Sequence, residues 1–144
     1  MEGKIEKASA CFKEGFSCSQ AVLAAYCEDF GLDRDTAMKV ACGFGAGMGR
    51  LGGTCGAVTG AYMVIGLKYG KFRAEDAEAK EKTYELVREF DRMFRERHGA
   101  TACRELIGVS FADGDPDVIA EKLATCCPGY VEDAADILAD ILCD

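Results

Sequence analysis

Nine cysteines are the residues of this 144-residue sequence best suited to carry out chemistry. An ionised thiol attacks disulfides and binds soft metal ions. The number of cysteines is odd, and the chain is long enough to form a core without covalent cross-links, so a structural disulfide framework is the wrong interpretation. We therefore expect a subset of these thiols to form a redox-active or metal-binding group.

Three of the cysteines follow a serine or threonine that could cap a helix, and so are predicted to lie in first helical turns. A thiolate at such a place faces unpaired backbone N–H groups and the positive end of the helix dipole, which lowers the thiol pKa. These three are Cys18, Cys55 and Cys103.

Cys127 has a different context, because Pro128 follows it directly and is expected to end a helix there. A turn at this point could direct the sulfur across the molecule. Cys126 is adjacent, and the residues alone do not decide which of the two is functional. The other four cysteines are interpreted as small packing residues. They are Cys11, Cys27, Cys42 and Cys143.

No C-x-x-C motif occurs in the sequence. This removes the usual thioredoxin motif and weakens a zinc-ribbon interpretation, because both use cysteines in close pairs. A site built from Cys18, Cys55, Cys103 and Cys127 would instead collect single thiols from four separate elements.

The elements that must position these thiols are predicted to be helices, since apolar residues recur at helical spacing and no strand-like alternation occurs. We expect an all-α, single-domain bundle over residues 1–144, with about six to seven helices and a glycine-rich loop (43–53) before a central helix. The predicted helical segments are 4–14, 18–30, 34–42, 55–69, 74–98, 101–107, 115–127 and 129–142.

Several of these helices carry capping signals. Ser17 and Gln20 fit a capping box, Asp33 can cap the third helix, and Thr54 is expected to cap the central one. Gly56 and Gly60 then lie four apart on one helix face. Glycine inside a helix costs about 1 kcal/mol relative to alanine, so we expect that face to pack closely on a neighbour.

Composition excludes several classes of protein. The net charge of −8 is unfavourable for binding nucleic acid or an anionic membrane. The longest apolar run, 57–67, is too short to span a membrane, and the charged N-terminus lacks a secretory signal. A cytoplasmic location, where thiols stay reduced, is therefore expected.

Two further features favour structural interpretations. Residues 47–52 satisfy G-x-G-x-x-G, but no strand precedes them, so a dinucleotide site is not expected. His98, the one histidine, falls in the last turn of a long predicted helix, where a cation favours the dipole.

Four sequence blocks, in order, resemble the C_GCAxxG_C_C family of redox-active proteins. The resemblance covers most of the chain and implies that Cys18, Cys55, Cys103 and Cys127 are the functional cysteines, with Pro128 selecting Cys127 over Cys126. The blocks are GFSCSQAV (15–22), CGAVTG (55–60), CRELIG (103–108) and CPGYV (127–131).

The resemblance implies redox activity but leaves the reaction open. The four cysteines could exchange disulfides with a redox partner protein or a small thiol, or hold an iron–sulfur cluster. Backbone N–H groups of Gly53, Thr54 and Gly56 would then stabilise the cluster. A structural zinc site or an interaction module without redox activity is the alternative. Apolar residues on the long helix, together with the glycine face, also suggest a homodimer.

Overall fold

Seven α-helices joined by turns make up the computed structural model, which describes residues 3–142. A 3₁₀ turn, Cys27–Phe30, extends the second helix. The predicted all-α bundle is confirmed. The helices are α1 (Lys4–Lys13), α2 (Cys18–Tyr26), α3 (Arg34–Cys42), α4 (Gly56–Tyr69), α5 (Ala77–His98), α6 (Cys103–Ile107) and α7 (Pro116–Ile141).

Two of the predicted helix caps are present. Ser17 and Gln20 form the capping box: the Ser17 N–H donates to Gln20 Oε1 at 2.9 Å, and the Gln20 N–H donates to Ser17 Oγ at 3.4 Å. Asp33 Oδ2 accepts from the Thr36 N–H at 3.0 Å. These local bonds begin α2 and α3 at the predicted residues.

The predicted threonine caps of α4 and α6 are wrong. Thr54 forms an isolated antiparallel bridge with Ala102, which holds the chain extended and makes Cys55 and Ala102 the N-cap residues. The Thr101 hydroxyl instead accepts a hydrogen bond from Arg95 at 3.0 Å. Pairing between two distant segments has overridden a local capping preference.

The predicted helix end at Pro128 is also wrong, because α7 continues through the proline to Ile141. A proline inside a helix removes one backbone hydrogen bond and costs about 3 kcal/mol. Burial of Cys127 before the proline and of apolar residues after it, including Val131 and Leu138, offsets this cost. Cys127 therefore lies within a helix and not in a turn.

The centre of the bundle is the contact between α2 and α4, with α7 packed against both and α1 and α3 packed on α2. Gly56 and Gly60 form this contact, as predicted. A Cβ on Gly60 would lie 2.8 Å from the Ser19 carbonyl oxygen, and one on Gly56 would lie 2.9 Å from the Ser19 nitrogen. Only glycine allows the two helices to approach this closely.

Aromatic side chains join α5 to α4 and α7. Phe90 and Phe94 are fully buried, with ring centroids 5.9 Å apart, and Phe94 contacts both His98 and Tyr130. His98 Nε2 lies 2.8 Å from Asp133 Oδ2, so the histidine connects α5 to α7, in line with its structural interpretation.

The surface that suggested a homodimer is largely internal. Phe90 and Phe94 are buried within the chain, and the glycine face of α4 packs on α2, whereas Tyr84 is exposed. The homodimer stays a prediction without this support.

In the described range of residues, no helix is long and apolar enough to cross a membrane.

We predict that Gly60→Ala destabilises the fold by about 1–3 kcal/mol, because its methyl group forces α4 away from Ser19. Gly66→Ala, in the same helix, is the matched control. A Cβ there meets nothing within 4 Å, so we expect stabilisation of about 0.4–1 kcal/mol. Urea unfolding of both variants checks this, and a Gly60→Ala variant as stable as wild type would contradict the close contact.

Candidate functional site

The four cysteines singled out from the sequence line one cavity of about 150 Å³ between α2, α4, α6 and α7. We call it the thiol cavity. Its other lining residues in the described chain carry no charge, and most are apolar, as with Phe12, Leu106 and Leu123. Four segments far apart in sequence therefore supply one thiol each to a shared apolar space.

The bridge between Thr54 and Ala102 places two of these thiols side by side. The Cys55 N–H donates to the Thr101 carbonyl at 2.7 Å, and the Cys103 N–H donates to the Gly53 carbonyl at 2.6 Å. Cys55 and Cys103 thus lie directly after the two paired residues, where their helices begin.

The glycine-rich loop forms a left-handed turn against this bridge. Residues 46–50 all have positive φ, between 56° and 67°, including the non-glycine residues Ala46, Met48 and Arg50. A Cβ on Gly47 would lie 2.6 Å from the Gly53 nitrogen and 2.7 Å from the Cys103 Cβ. The turn therefore needs glycine at position 47 to reach the cavity wall.

Cys18 and Cys127 form the other half of the cavity, and each is the largest influence on the pKa of the other. Cys18 is the first residue of α2, whereas Cys127 projects from the middle of α7. This mutual influence distinguishes the pair from Cys55 and Cys103, where burial has the largest effect on the pKa.

Burial controls the ionisation of Cys55 and Cys103. It raises the pKa of Cys55 to about 12, although backbone N–H groups of Ala57 and Val58 act in the opposite direction. Burial also raises the pKa of Cys103 to about 11, and the charge of Cys127 adds to this. The expectation that helix starts activate these thiols is wrong, because loss of hydration outweighs the helix N-terminus.

Cys18 and Cys127 differ in the direction of their pKa shifts. The Cys127 side chain, together with burial, raises the pKa of Cys18 well above its ordinary value of 9.0. The Cys18 side chain lowers the pKa of Cys127. Of the two thiols, Cys127 is therefore the better candidate for a thiolate. Its position in the sequence, inside a helix beside a proline, gave no sign of this.

The remaining cysteines lie elsewhere. Cys126 is half-buried outside the thiol cavity, with its sulfur 3.8 Å from the Thr125 hydroxyl. Cys11 and Cys27 are buried, as expected of packing residues, but Cys42 is exposed at the end of α3, so its interpretation as a core residue is wrong. Cys143 lies outside the described residues.

Sequence reasoning missed Tyr130 as a cavity residue. Its hydroxyl donates to the Leu106 carbonyl at 2.7 Å, which joins α7 to α6 at the cavity edge. Burial raises its pKa. Tyr130 lies three residues after Cys127, so helical spacing puts both on one face. The predicted helix break at Pro128 concealed that signal.

The residues expected to surround a cluster have other partners. The Gly53 N–H donates to the Gly47 carbonyl at 2.9 Å, Thr54 belongs to the bridge, and Gly56 lines the cavity against Cys18. The backbone groups that act on the Cys55 sulfur come instead from Ala57 and Val58. The glycine-rich loop therefore supports the site mainly through close packing.

The four thiols are ligands that a soft metal ion prefers, but they are not placed to hold a single ion. Among residues 3–142, no three His, Cys, Asp or Glu side chains are placed to hold one metal ion. A single zinc ion would require these sulfurs to move closer together. The zinc site and the iron–sulfur cluster both stay predictions.

Residues 47–52 do not form a nucleotide-binding turn. Most of them belong to the left-handed turn, which packs against Cys103 and leads into an extended bridge instead of a helix. No strand precedes them in the described chain.

Together, an all-α bundle and an internal cavity lined by four thiols define a small helical protein with a buried cysteine site. The chain belongs to the family described as "Putative redox-active protein (C_GCAxxG_C_C)", which matches residues 16–141. The resemblance recognised in the sequence is thereby confirmed. No match was found among curated proteins or among solved structures.

We predict that Cys18→Ala raises the pKa of Cys127 above its wild-type value. The substitution removes the side chain that lowers the pKa of Cys127, while burial continues to favour the neutral thiol. The measurement is the pH dependence of iodoacetamide labelling at Cys127, followed by peptide mass spectrometry. Cys11→Ala is the control, because Cys11 is buried outside the cavity. An unchanged labelling profile in Cys18→Ala would contradict the assignment.

A second prediction concerns stability at high pH. A thiol with an ordinary pKa of 9.0 ionises in the unfolded chain before Cys55 ionises in the folded protein, near 12. The unfolded state therefore binds fewer protons across this window, and stability falls as pH rises from about 9 to about 12. We expect Cys55→Ser to reduce this slope by up to about 1.4 kcal/mol per pH unit. Denaturant unfolding at several pH values measures it, and equal slopes would refute the raised pKa.

Proposed function

We propose that the protein is a dithiol–disulfide redox protein in which Cys127 is the nucleophile and Cys18 the resolving thiol. The observation that carries this proposal is the cavity that brings the two thiols together. Each side chain shifts the pKa of the other, lowering it at Cys127 and raising it at Cys18. Membership of a family described as redox-active adds support.

The proposed reaction has two steps. The Cys127 thiolate attacks one sulfur of a substrate disulfide, so that a mixed disulfide forms and one substrate thiolate leaves and takes a proton from water. Cys18 then loses its proton and attacks the Cys127 sulfur, which releases the second substrate thiol. The protein has lost two electrons, and the substrate disulfide has become two thiols. An external thiol reverses both steps and regenerates the protein.

The other two cysteines have a supporting role in this proposal. Raised pKa values keep Cys55 and Cys103 protonated near neutral pH. They therefore add no negative charge beside Cys127, where a second thiolate would oppose its ionisation.

Dithiol–disulfide exchange needs a partner that transfers electrons and a compartment that keeps the thiols reduced. A redox partner protein or a small thiol would supply and remove electrons. A cytoplasmic location would keep the pair reduced between turnovers.

Metal binding by the same four cysteines is the competing function. An iron–sulfur cluster would give visible absorption that bleaches on reduction, and zinc would be stoichiometric and redox-silent. Metal analysis and a spectrum of protein purified without oxygen separate both from a colourless dithiol.

We predict that mild oxidation with hydrogen peroxide, which is small enough to enter the cavity, removes two thiols per chain and joins Cys18 to Cys127, as mapped by non-reducing peptide mass spectrometry. Cys18→Ala and Cys127→Ala should each abolish this bond. Cys126→Ala is the matched control, because Cys126 lies beside Cys127 but outside the thiol cavity, and it should leave the bond intact. A bond through Cys126, or stoichiometric iron or zinc on the four cysteines, would refute the proposal.

A further inference from the structure

Both cysteines of the proposed pair are nearly buried. Cys127 is 4% exposed and Cys18 is 9% exposed, so neither sulfur stands out from the protein surface. Attack on a disulfide needs the thiolate, the attacked sulfur and the leaving sulfur nearly in line. A disulfide held on the surface of another folded protein could not reach Cys127 in this way, so the reactant must enter the cavity.

The interior of the cavity selects by size and charge. An apolar cavity of about 150 Å³ holds a molecule of roughly six to eight heavy atoms, as benzene-sized ligands in cavities of that volume demonstrate. Its lining among the described residues contains no lysine, arginine, aspartate or glutamate. A charged reactant would lose its hydration there, and apart from the Cys127 thiolate the lining offers no charged side chain to compensate, which is unfavourable.

We propose that the substrate of the Cys127–Cys18 pair is a small, uncharged molecule with an S–S or O–O bond, such as a short dialkyl disulfide or alkyl hydroperoxide. This inference rests on the proposed dithiol–disulfide function. It narrows the substrate to molecules that enter the cavity whole, and it excludes protein disulfides and charged tripeptide disulfides as direct reactants.

Both forms of the bond give a balanced reaction. A dialkyl disulfide reacts by the two exchange steps described above. With a hydroperoxide, Cys127 forms an S–O bond while the O–O bond breaks, and the leaving alkoxide takes a proton from water. The Cys18 thiol then attacks the sulfenic sulfur, water leaves, and the Cys18–Cys127 disulfide forms. Two thiols and one hydroperoxide thus become one disulfide, one alcohol and one water.

Leu123 offers a way to alter this selection without touching a thiol. It lies four residues before Cys127 on α7, so it shares its face, and it lines the cavity while remaining partly exposed. Leu123→Ala should enlarge the cavity near its opening. Val118→Ala is a control on the same helix, because Val118 is 40% exposed and lies outside the cavity lining.

The test compares the rate of Cys18–Cys127 disulfide formation with five reagents, each divided by its rate with free 2-mercaptoethanol. The neutral reagents are diethyl disulfide, the longer dibutyl disulfide and tert-butyl hydroperoxide. The charged ones are cystamine, a dication, and dithiodiglycolate, a dianion. Salt at about 0.5 M screens attraction or repulsion by the surface charge of −8, so that entry into the cavity is what is measured.

We expect diethyl disulfide, tert-butyl hydroperoxide or both to react about tenfold faster or more than either charged reagent after this normalisation. Dibutyl disulfide should react slowly with wild type and with Val118→Ala, but about as fast as diethyl disulfide with Leu123→Ala. If only diethyl disulfide reacts, the substrate is a disulfide. If only the hydroperoxide reacts, the substrate is a hydroperoxide.

Equal normalised rates for neutral and charged reagents would overturn the inference while leaving the dithiol function standing. Failure of every reagent, hydrogen peroxide included, to join Cys18 to Cys127 would instead refute the proposed function itself. The two failures are therefore distinguishable in one set of measurements.

Discussion

Close approach of backbone segments is the constraint on which the rest of this structure depends. The bridge between Thr54 and Ala102 pairs two stretches that are far apart in sequence, and Gly47 packs against them where no side chain would fit. Across the cavity, Gly56 and Gly60 bring α4 onto the start of α2. These contacts set the separation of the cavity walls, and hence the separation of the four sulfurs. The absence of a side chain at these glycines is therefore as necessary for the site as the thiols themselves.

Burial, and not helix position, decides the chemistry of the individual thiols. A helix N-terminus stabilises a thiolate by a limited amount, whereas removing a thiol from water opposes ionisation strongly. Cys55 lies at a helix start with two backbone N–H groups acting on its sulfur, yet its pKa rises to about 12. Cys127 has no such position, yet the Cys18 side chain lowers its pKa. At Cys127 the influence of one neighbouring side chain therefore exceeds that of burial.

Much of the fold could be predicted from local signals. The capping box at Ser17, the cap at Asp33 and the close face of Gly60 all depend on residues near one another in sequence, and all are present. The errors have a common cause. The Thr54 cap and the helix end at Pro128 were local preferences overridden by pairing or burial against distant segments. For the same reason, the sequence could indicate four cysteines as a group but not which sulfur carries the negative charge.

The left-handed turn has a consequence for how the cavity opens. Ala46, Met48 and Arg50 have left-handed backbone conformations, which cost an L-amino acid of order 1 kcal/mol each. Backbone hydrogen bonds hold the turn, among them Gly49 N–H to the Gly45 carbonyl at 2.9 Å and Leu51 N–H to the Met48 carbonyl at 3.0 Å. Gly47 also packs against the wall formed by Cys103 and Gly53. Opening of the cavity on this side would break that packing and let the three residues relax towards right-handed conformations, and hydrogen exchange at the amides of 46–50 would report on it.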